Sequence, residues 1–440
     1  MKIFRRGIKL PDYKALSLLT PHFKKAPLPA FVTLPLKQHQ GLPAIPLVRS
    51  GEAVKTGAKI AAAQGDFSAH IHASVSGTVR EVTPDYIRLE SDGKDEWEAE
   101  IVEQPDWKNT ERDKIRQCIF NAGLVGLGGK GFPTHLKLDQ TTKGACDLLI
   151  LNGCESEPFL TADFILMFNK AVEILHGARF LMCVSGAKKC LIAIEDNKLE
   201  CIEIILSKIR LLGFKDIEVK QVPARYPQGS DSELKRTCIP SKNRDDVKVL
   251  IHNVATAYAV YEAVKYHKPL IERVVTITGH CIVEPQNLMF RIGTSAYDAI
   301  KTCKGFLRDP VRVIFGGPMT GVSLSHLNTP LTKPVNGIVA LAQEFIDEGK
   351  EKPCIRCGLC VETCPEHLVP ETLIKGIRLK DRAVVRAFQL QNCIECGNCA
   401  FVCPSNIPLL DILKEGKQTY FGAPYESMHS EKDLIYAVVP

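Results

Sequence analysis

The sequence predicts a multidomain chain of mixed α/β and α+β class, and three observations carry that expectation. Residues 28 to about 103 read as short strands cut by Gly and Pro at close intervals, the pattern of a small barrel or sandwich. From about 112 to 265, helix and strand patterns alternate, which predicts α/β layers around a mainly parallel sheet. Between Cys354 and Cys403, two cysteine runs of identical spacing are separated by helical patterns. The expected units are 1–105, 106–268, 269–345 and 346–412, with a tail from 413 to 440.

In the first unit, Ala30–Leu36 gives a strand, Gly51–Ala61 a turn and strand, and Val75–Val82 another strand. The hairpin tip Ala69-His-Ile-His-Ala73 carries no lysine, and His70 and His72 read as surface hairpin residues rather than ligands. In the second unit, helices are expected over 111–122, 161–182 and 199–212, and strands over 147–152, 190–195 and 215–222. The third unit reads as a compact ββαβ order. Strands begin at Val274, Phe290 and Val311, a helix spans 296–303, and residues 320–350 lead on to the cysteine runs.

Length and composition set bounds. A chain of 440 residues has room for two to four domains with real cores, and it is 45% hydrophobic and 24% charged. The net charge of +6, with Lys2, Arg5, Arg6 and Lys9 near the start, suits docking to an acidic protein or an anionic membrane face. No apolar stretch precedes Pro11, so a secretory signal is not expected. No apolar run is long enough to span a bilayer. The nine cysteines outside the two runs are scattered in apolar or mixed contexts, as free thiols of a reducing compartment are.

The cysteine runs carry the firmest chemistry. They are Cys354-x2-Cys357-x2-Cys360-x3-Cys364-Pro and Cys393-x2-Cys396-x2-Cys399-x3-Cys403-Pro. Three thiolates two residues apart wrap three corners of a [4Fe–4S] cube, and the fourth crosses to the other cube. Cys354, Cys357, Cys360 and Cys403 are thus expected on one cluster, with Cys393, Cys396, Cys399 and Cys364 on the other. Zinc would take its ligands in pairs, which two runs of four do not resemble.

A second chemistry lies upstream. Gly123-Leu-Val-Gly-Leu-Gly-Gly-Lys-Gly131 holds five glycines in nine residues, and such a loop lets backbone amides form an anion-binding concavity. It is not the phosphate loop that ends in Gly-Lys-Ser/Thr. Asn152-Gly-Cys-Glu155-Ser-Glu157-Pro follows an apolar strand, at the strand end where α/β folds place ligands. Tyr226-Pro-Gln-Gly229-Ser-Asp-Ser-Glu233 and His252-Asn253-Val-Ala-Thr256 are two further polar turns of the same kind. Four such loops converging on one sheet edge describe a site.

On these residues the whole chain resembles the RnfC family of the Rnf ion-translocating electron-transport complex. The resemblance implies a β barrel-sandwich hybrid, a flavin- and NADH-binding α/β domain related to the flavoprotein subunit of complex I, a β-grasp (SLBB) module and a helical dicluster ferredoxin domain. It implies non-covalent FMN, NAD(H) and two [4Fe–4S] clusters. Gly126, Gly128, Gly129, Gly131 and Lys137 would hold the FMN phosphate and ribityl chain. Asn152 would face the ring, and Phe132, Glu155 and Glu157 the nicotinamide. Tyr226, Gly229, Glu233, Asn253 and Thr256 extend the set. Lys130 departs from the family, where a small residue is usual. The implied activity is that of an ion-transporting ferredoxin:NAD+ oxidoreductase component, an electron-transport translocase. Its partners would be integral membrane and ferredoxin-like Rnf subunits, and ferredoxin, with no nucleic acid. The implied place is peripheral, at the cytoplasmic face of the cell membrane. A cobalamin-reductase-type flavo-iron–sulfur reductase, or a relay subunit with a vestigial nucleotide site, shares these features.

Overall fold

Alternating apolar residues put Val32, Leu34, Val79, Ile87 and Leu89 on the inner faces of the first unit. Its strands form an antiparallel sheet in the order Phe31–Pro35, Tyr86–Ser91, Gly77–Val82, Ala53–Val54, and a smaller one of Ile45–Pro46, Lys59–Ala62 and Ile71–His72. The computed structural model describes residues 7–142, 146–244, 246–346 and 349–422; Lys2, Arg5 and Arg6 lie outside them. No helix among the described residues is long and apolar enough to cross a membrane.

His70 and His72 are not surface residues. Both are 6% exposed. The hairpin is covered by its neighbours: the Phe120 ring lies 4.5 Å from the His70 ring, and Lys333 Nζ donates to His70 O at 2.7 Å. Burial pulls His70 down to about 4 and His72 well below the usual imidazole range, so both are neutral.

The α/β unit is built on a four-stranded, wholly parallel sheet. Its order is Ile217–Val222, Lys189–Glu195, Leu148–Asn152, Val249–Asn253. The single helix expected over 161–182 is two, Ala162–Asn169 and Ala171–Ser185. The break has a local cause. Asn169 Nδ2 donates to Ile165 O and to Pro21 O, and Lys170 leaves helical geometry (φ −127°, ψ 32°). A segment from the N-terminal side therefore interrupts a pattern that is periodic in sequence.

The third unit contains strands Glu272–Thr278, Gln286–Arg291, Arg312–Phe315 and Gly337–Leu341, with helix Ala296–Thr302. Gly337–Leu341 was expected within the stretch leading to the cysteine runs. It is a fully buried strand, parallel to Glu272–Thr278 and antiparallel to Arg312–Phe315. Lys24–Lys25 adds to the same sheet, parallel to Gln286–Arg291.

The cysteine-bearing unit is helical: Leu359–Glu362, Pro370–Arg378, Arg382–Ala387, Asn398–Phe401 and Leu409–Phe421. The last of these carries the chain past the expected end at 412. It buries Leu409, Leu410 and Leu413, and Gly416 packs against Ile377. From 413 to 422 the residues assigned to a tail are therefore part of this packed layer.

Candidate functional site

The parallel sheet is wound outward in both directions from Leu148–Asn152. The chain goes first to Lys189–Glu195 and Ile217–Val222 on one side, then returns to Val249–Asn253 on the other. Ligands bind at the carboxyl ends of the two strands where such a winding reverses. Here those ends are Asn152 and Asn253, paired in register. Both side chains are held. Asn152 Nδ2 donates to Gly229 O at 2.9 Å while its oxygen accepts from Cys154 N at 3.0 Å. Asn253 caps the next helix through Ala255 N at 2.8 Å and donates to Asp163 Oδ2 at 2.6 Å.

In front of these ends lies a cavity of about 750 Å³, within the size range of cofactor sites. It is lined by Gly126, Gly128, Phe132, Lys137, Asn152, Glu155, Glu157, Tyr226, Gly229, Asn253 and Thr256 from the residues singled out in the sequence. Gly129, Gly131 and Glu233 do not line it. Gly131 closes the turn, its amide donating to Gly126 O and its carbonyl accepting from Gln40 N. Glu233 turns to Arg236, which also pairs with Glu366 of the cysteine-bearing unit at 3.0 Å. Among the described residues, the amides of Gly128, Gly129 and Lys130 meet no protein acceptor. Lys130 is exposed and shares in the lining without filling the cavity.

The two glutamates, expected near the nicotinamide, line the cavity and are also engaged with the protein itself. The Glu155 carboxylate accepts from Asp163 N at 2.9 Å and Phe164 N at 3.3 Å, holding the start of helix Ala162–Asn169. Glu157 accepts from Met319 N at 3.0 Å and Thr320 Oγ1 at 2.5 Å, joining the α/β unit to the third unit. Burial raises its pKa.

Lys14 and Asp163, neither marked in the sequence, and His252, named there only as the start of a polar turn, complete the surroundings. Lys14, buried, donates to the carbonyls of Glu155, Glu157 and Leu160 at 2.6–2.9 Å, and so ties down the loop that carries both glutamates. Asp163 lines the cavity; burial and the Glu155 charge push it up to about 7, against Arg273 and Lys198. His252 also lines the cavity, 3% exposed, and its Nε2 has no protein partner. Burial keeps it neutral. A histidine inside an otherwise apolar strand was the available signal for His252. Nothing local marks Lys14.

The cysteine runs fold as a duplicated motif. Gly358 and Gly397 take φ of 81° and 80°, the left-handed region that glycine enters without strain, and Arg356 and Glu395 match at 57°. Cys354, Cys357, Cys360 and Cys403 line one cavity of about 140 Å³. Cys364, Cys393, Cys396 and Cys399 line another. None of the eight is in a disulfide, and the two groups are donor sets suited to two iron–sulfur cubes. Of the other nine, six are buried and Cys183 is exposed. The second set adjoins the large cavity, whose wall includes Ile394, Cys396 and Glu366. Tyr226 Oη donates to Cys396 O at 2.7 Å, and Arg236 donates to Pro365 O at 2.6 Å.

Comparison with known proteins gives consistent matches along the chain. Residues 2–105 match the family model of the RnfC barrel sandwich hybrid domain, 119–262 the Nuo51 FMN-binding domain, and 353–407 the 4Fe-4S dicluster domain. The chain is 39% identical over 388 residues to the C component of the proton-translocating ferredoxin:NAD(+) oxidoreductase complex of Clostridium ljungdahlii, covering 85% of this chain and 84% of that one. It is 40% identical over 408 residues to the C component of the ion-translocating oxidoreductase complex of Rhodobacter capsulatus, covering 89% and 78%. Among solved structures, a chain of an NAD+-reducing [NiFe]-hydrogenase in the air-oxidized state aligns with a TM-score of 0.51 at 17% identity, covering 74% of this chain and 65% of that one. At that identity the likeness is one of fold.

Proposed function

The chain belongs to the RnfC family of ion-translocating oxidoreductase complexes, and we propose that it exchanges electrons between NAD(H), FMN and two [4Fe–4S] clusters within such a complex. It is one component of a multisubunit oxidoreductase. Its immediate partners are integral membrane and ferredoxin-like subunits, and ferredoxin, and it sits peripherally at the cytoplasmic face of the cell membrane. The observation that carries this reading is the shared wall: the same cavity is lined by the Gly126–Phe132 loop and by Cys396.

Flavin supplies the exchange between a two-electron hydride donor and one-electron carriers. The residues present fit that group. The free amides of Gly128 and Lys130, both in the cavity wall, would hold its phosphate, with Lys137 close by. His252 Nε2, buried without a partner, offers the ring system a hydrogen bond. Asn152 and Asn253, fixed by Gly229 and Asp163, present a rigid floor. Glu157 holds the Met319–Thr320 turn, whose Thr320 lines the cavity.

The cluster next to the cavity would be held by Cys364, Cys393, Cys396 and Cys399. The Leu368 amide donates to Cys364 Sγ at 3.4 Å, the kind of hydrogen bond that tunes a cluster's potential. The set of Cys354, Cys357, Cys360 and Cys403 includes two exposed cysteines, Cys354 and Cys357, and would face a partner.

Anaerobically purified protein is expected to hold about eight irons and one flavin, from two cubes and one site. Stopped-flow bleaching of the flavin by NADH tests the activity. A flavin that NADH leaves oxidised sinks the proposal.

A further inference from the structure

We propose that Asp163 takes up the proton set free at the cavity and passes it through a second, smaller cavity to a carboxylate–lysine network at the surface. The inference rests on the NADH reading above. NADH oxidation balances as NADH → NAD+ + H+ + 2e−. The two electrons leave through the clusters, which carry no proton. One proton per NADH must therefore leave the cavity by another route, or enter by it when flow reverses.

Asp163 lies where such a route has to start. It lines the large cavity, and it also lines a separate one of about 30 Å³ with Tyr258, Glu262, Lys268, Glu272 and Arg273. That volume has room for about two waters, and the polar groups around it are enough to bind them. In its wall, Lys268 Nζ bridges Glu262 at 2.5 Å and Glu272 at 2.8 Å. Glu262 keeps 19% of its side chain exposed, and Glu272 lies 4.0 Å from Lys25, whose side chain is 72% exposed.

The charges facing Asp163 suit transfer in both directions. Glu155 opposes its ionisation, Arg273 and Lys198 favour it, and Asn253 donates to its Oδ2. A group balanced near neutrality both accepts and releases a proton readily. Glu155 is the neighbouring carboxylate, but it is committed to the amides of Asp163 and Phe164. Among the described residues, no other carboxylate lines both cavities.

The test is anaerobic stopped-flow of the protein loaded with flavin and clusters, mixed with NADH, following cluster reduction and a pH-indicator dye together, because the hydride keeps its proton until the electrons move on to the clusters. In the wild type the proton is expected to appear in step with electron transfer. In Asp163→Asn it should lag behind cluster reduction by about tenfold or more. Glu262→Gln, in the wall of the second cavity, should lag in the same direction, and it keeps the test open where Asp163→Asn folds poorly. Infrared difference spectra across neutral pH should also show a carboxyl band that Asp163→Asn loses. Proton appearance that keeps pace with cluster reduction in both variants overturns the proposal, as does an unchanged band. A wild-type flavin that NADH does not bleach overturns the functional reading instead, and the infrared band still decides whether Asp163 titrates near neutrality.

Discussion

Tyr226 Oη donates to the carbonyl oxygen of Cys396 across 2.7 Å, so one side chain ties the cavity wall to the loop of the second cysteine run. Tyr226 is 4% exposed, which makes the bond an interior one between units 170 residues apart in sequence. Tyr226→Phe keeps the ring and leaves the Cys396 carbonyl without this donor. Loss of about 1 kcal/mol is expected, with slower reduction of the nearer cluster after flavin reduction. Thermal melting and cluster absorbance in stopped flow check both. A variant with wild-type melting and wild-type cluster kinetics would show that the bond holds nothing in place.

Lys14 is the second such tie. Lys14→Met leaves three carbonyls of the 155–160 loop without their donor, and a loss of about 1–3 kcal/mol is expected. The loop that carries Glu155 and Glu157 should loosen, so flavin content should fall along with melting temperature.

Lys333 gives a pH signature. Its ammonium is fully buried against His70 O and Gly123 O at 2.7 Å, with no carboxylate partner among the described residues, and burial pulls it down to about 7. The unfolded lysine keeps its proton up to about 10.5. Between these values the unfolded chain binds a proton that the folded one lacks, so stability rises with pH. Below about 7 both states are protonated and the penalty is constant. Relative to Lys333→Met, the wild type should gain on the order of 2 kcal/mol between about pH 7 and pH 9, by urea denaturation. On the acid side, His39 and His70 are held neutral down to about 4 by burial, so stability should fall as pH drops below 6.5 toward 4.

Cys403→Ala tests the crossing of the cysteine runs. Cys403 lines a cavity with Cys354, Cys357 and Cys360 rather than with its own run. Iron should fall from about eight per chain to about four or fewer, because a cube missing one thiolate is held weakly. Unchanged iron and an unchanged spectrum would show that Cys403 is not a ligand.

Much of this was legible in the chain. The spacing of the cysteine runs was enough to group Cys403 with the first run, because a cube's geometry dictates that spacing. The polar turns after Asn152 and before Thr256 stood out because polar residues interrupt apolar strands at their ends. Periodicity located the helix at Leu199–Leu212 to the residue. It failed at Asn169, where a contact with Pro21 overrides it, and at Gly337–Leu341, a short apolar run whose strand partners lie far away in sequence.

The sequence by itself therefore determined the chemistry the chain can carry: two sets of cluster thiolates, a glycine loop for an anion, and an α/β layer to present it. These depend on spacing within a few residues, which short-range geometry controls. Only the tertiary structure decided which carboxylates are free, what holds the loops and how the carriers adjoin. Glu155 and Glu157 are spent on amides and a hydroxyl, while Asp163, unmarked in sequence, joins two cavities. Such outcomes follow from burial and from partners more than a hundred residues away, such as Lys14 against Glu155 and Tyr226 against Cys396. No local pattern encodes them, because the cost of burying a charge or a carbonyl is set by whatever the whole chain packs against it.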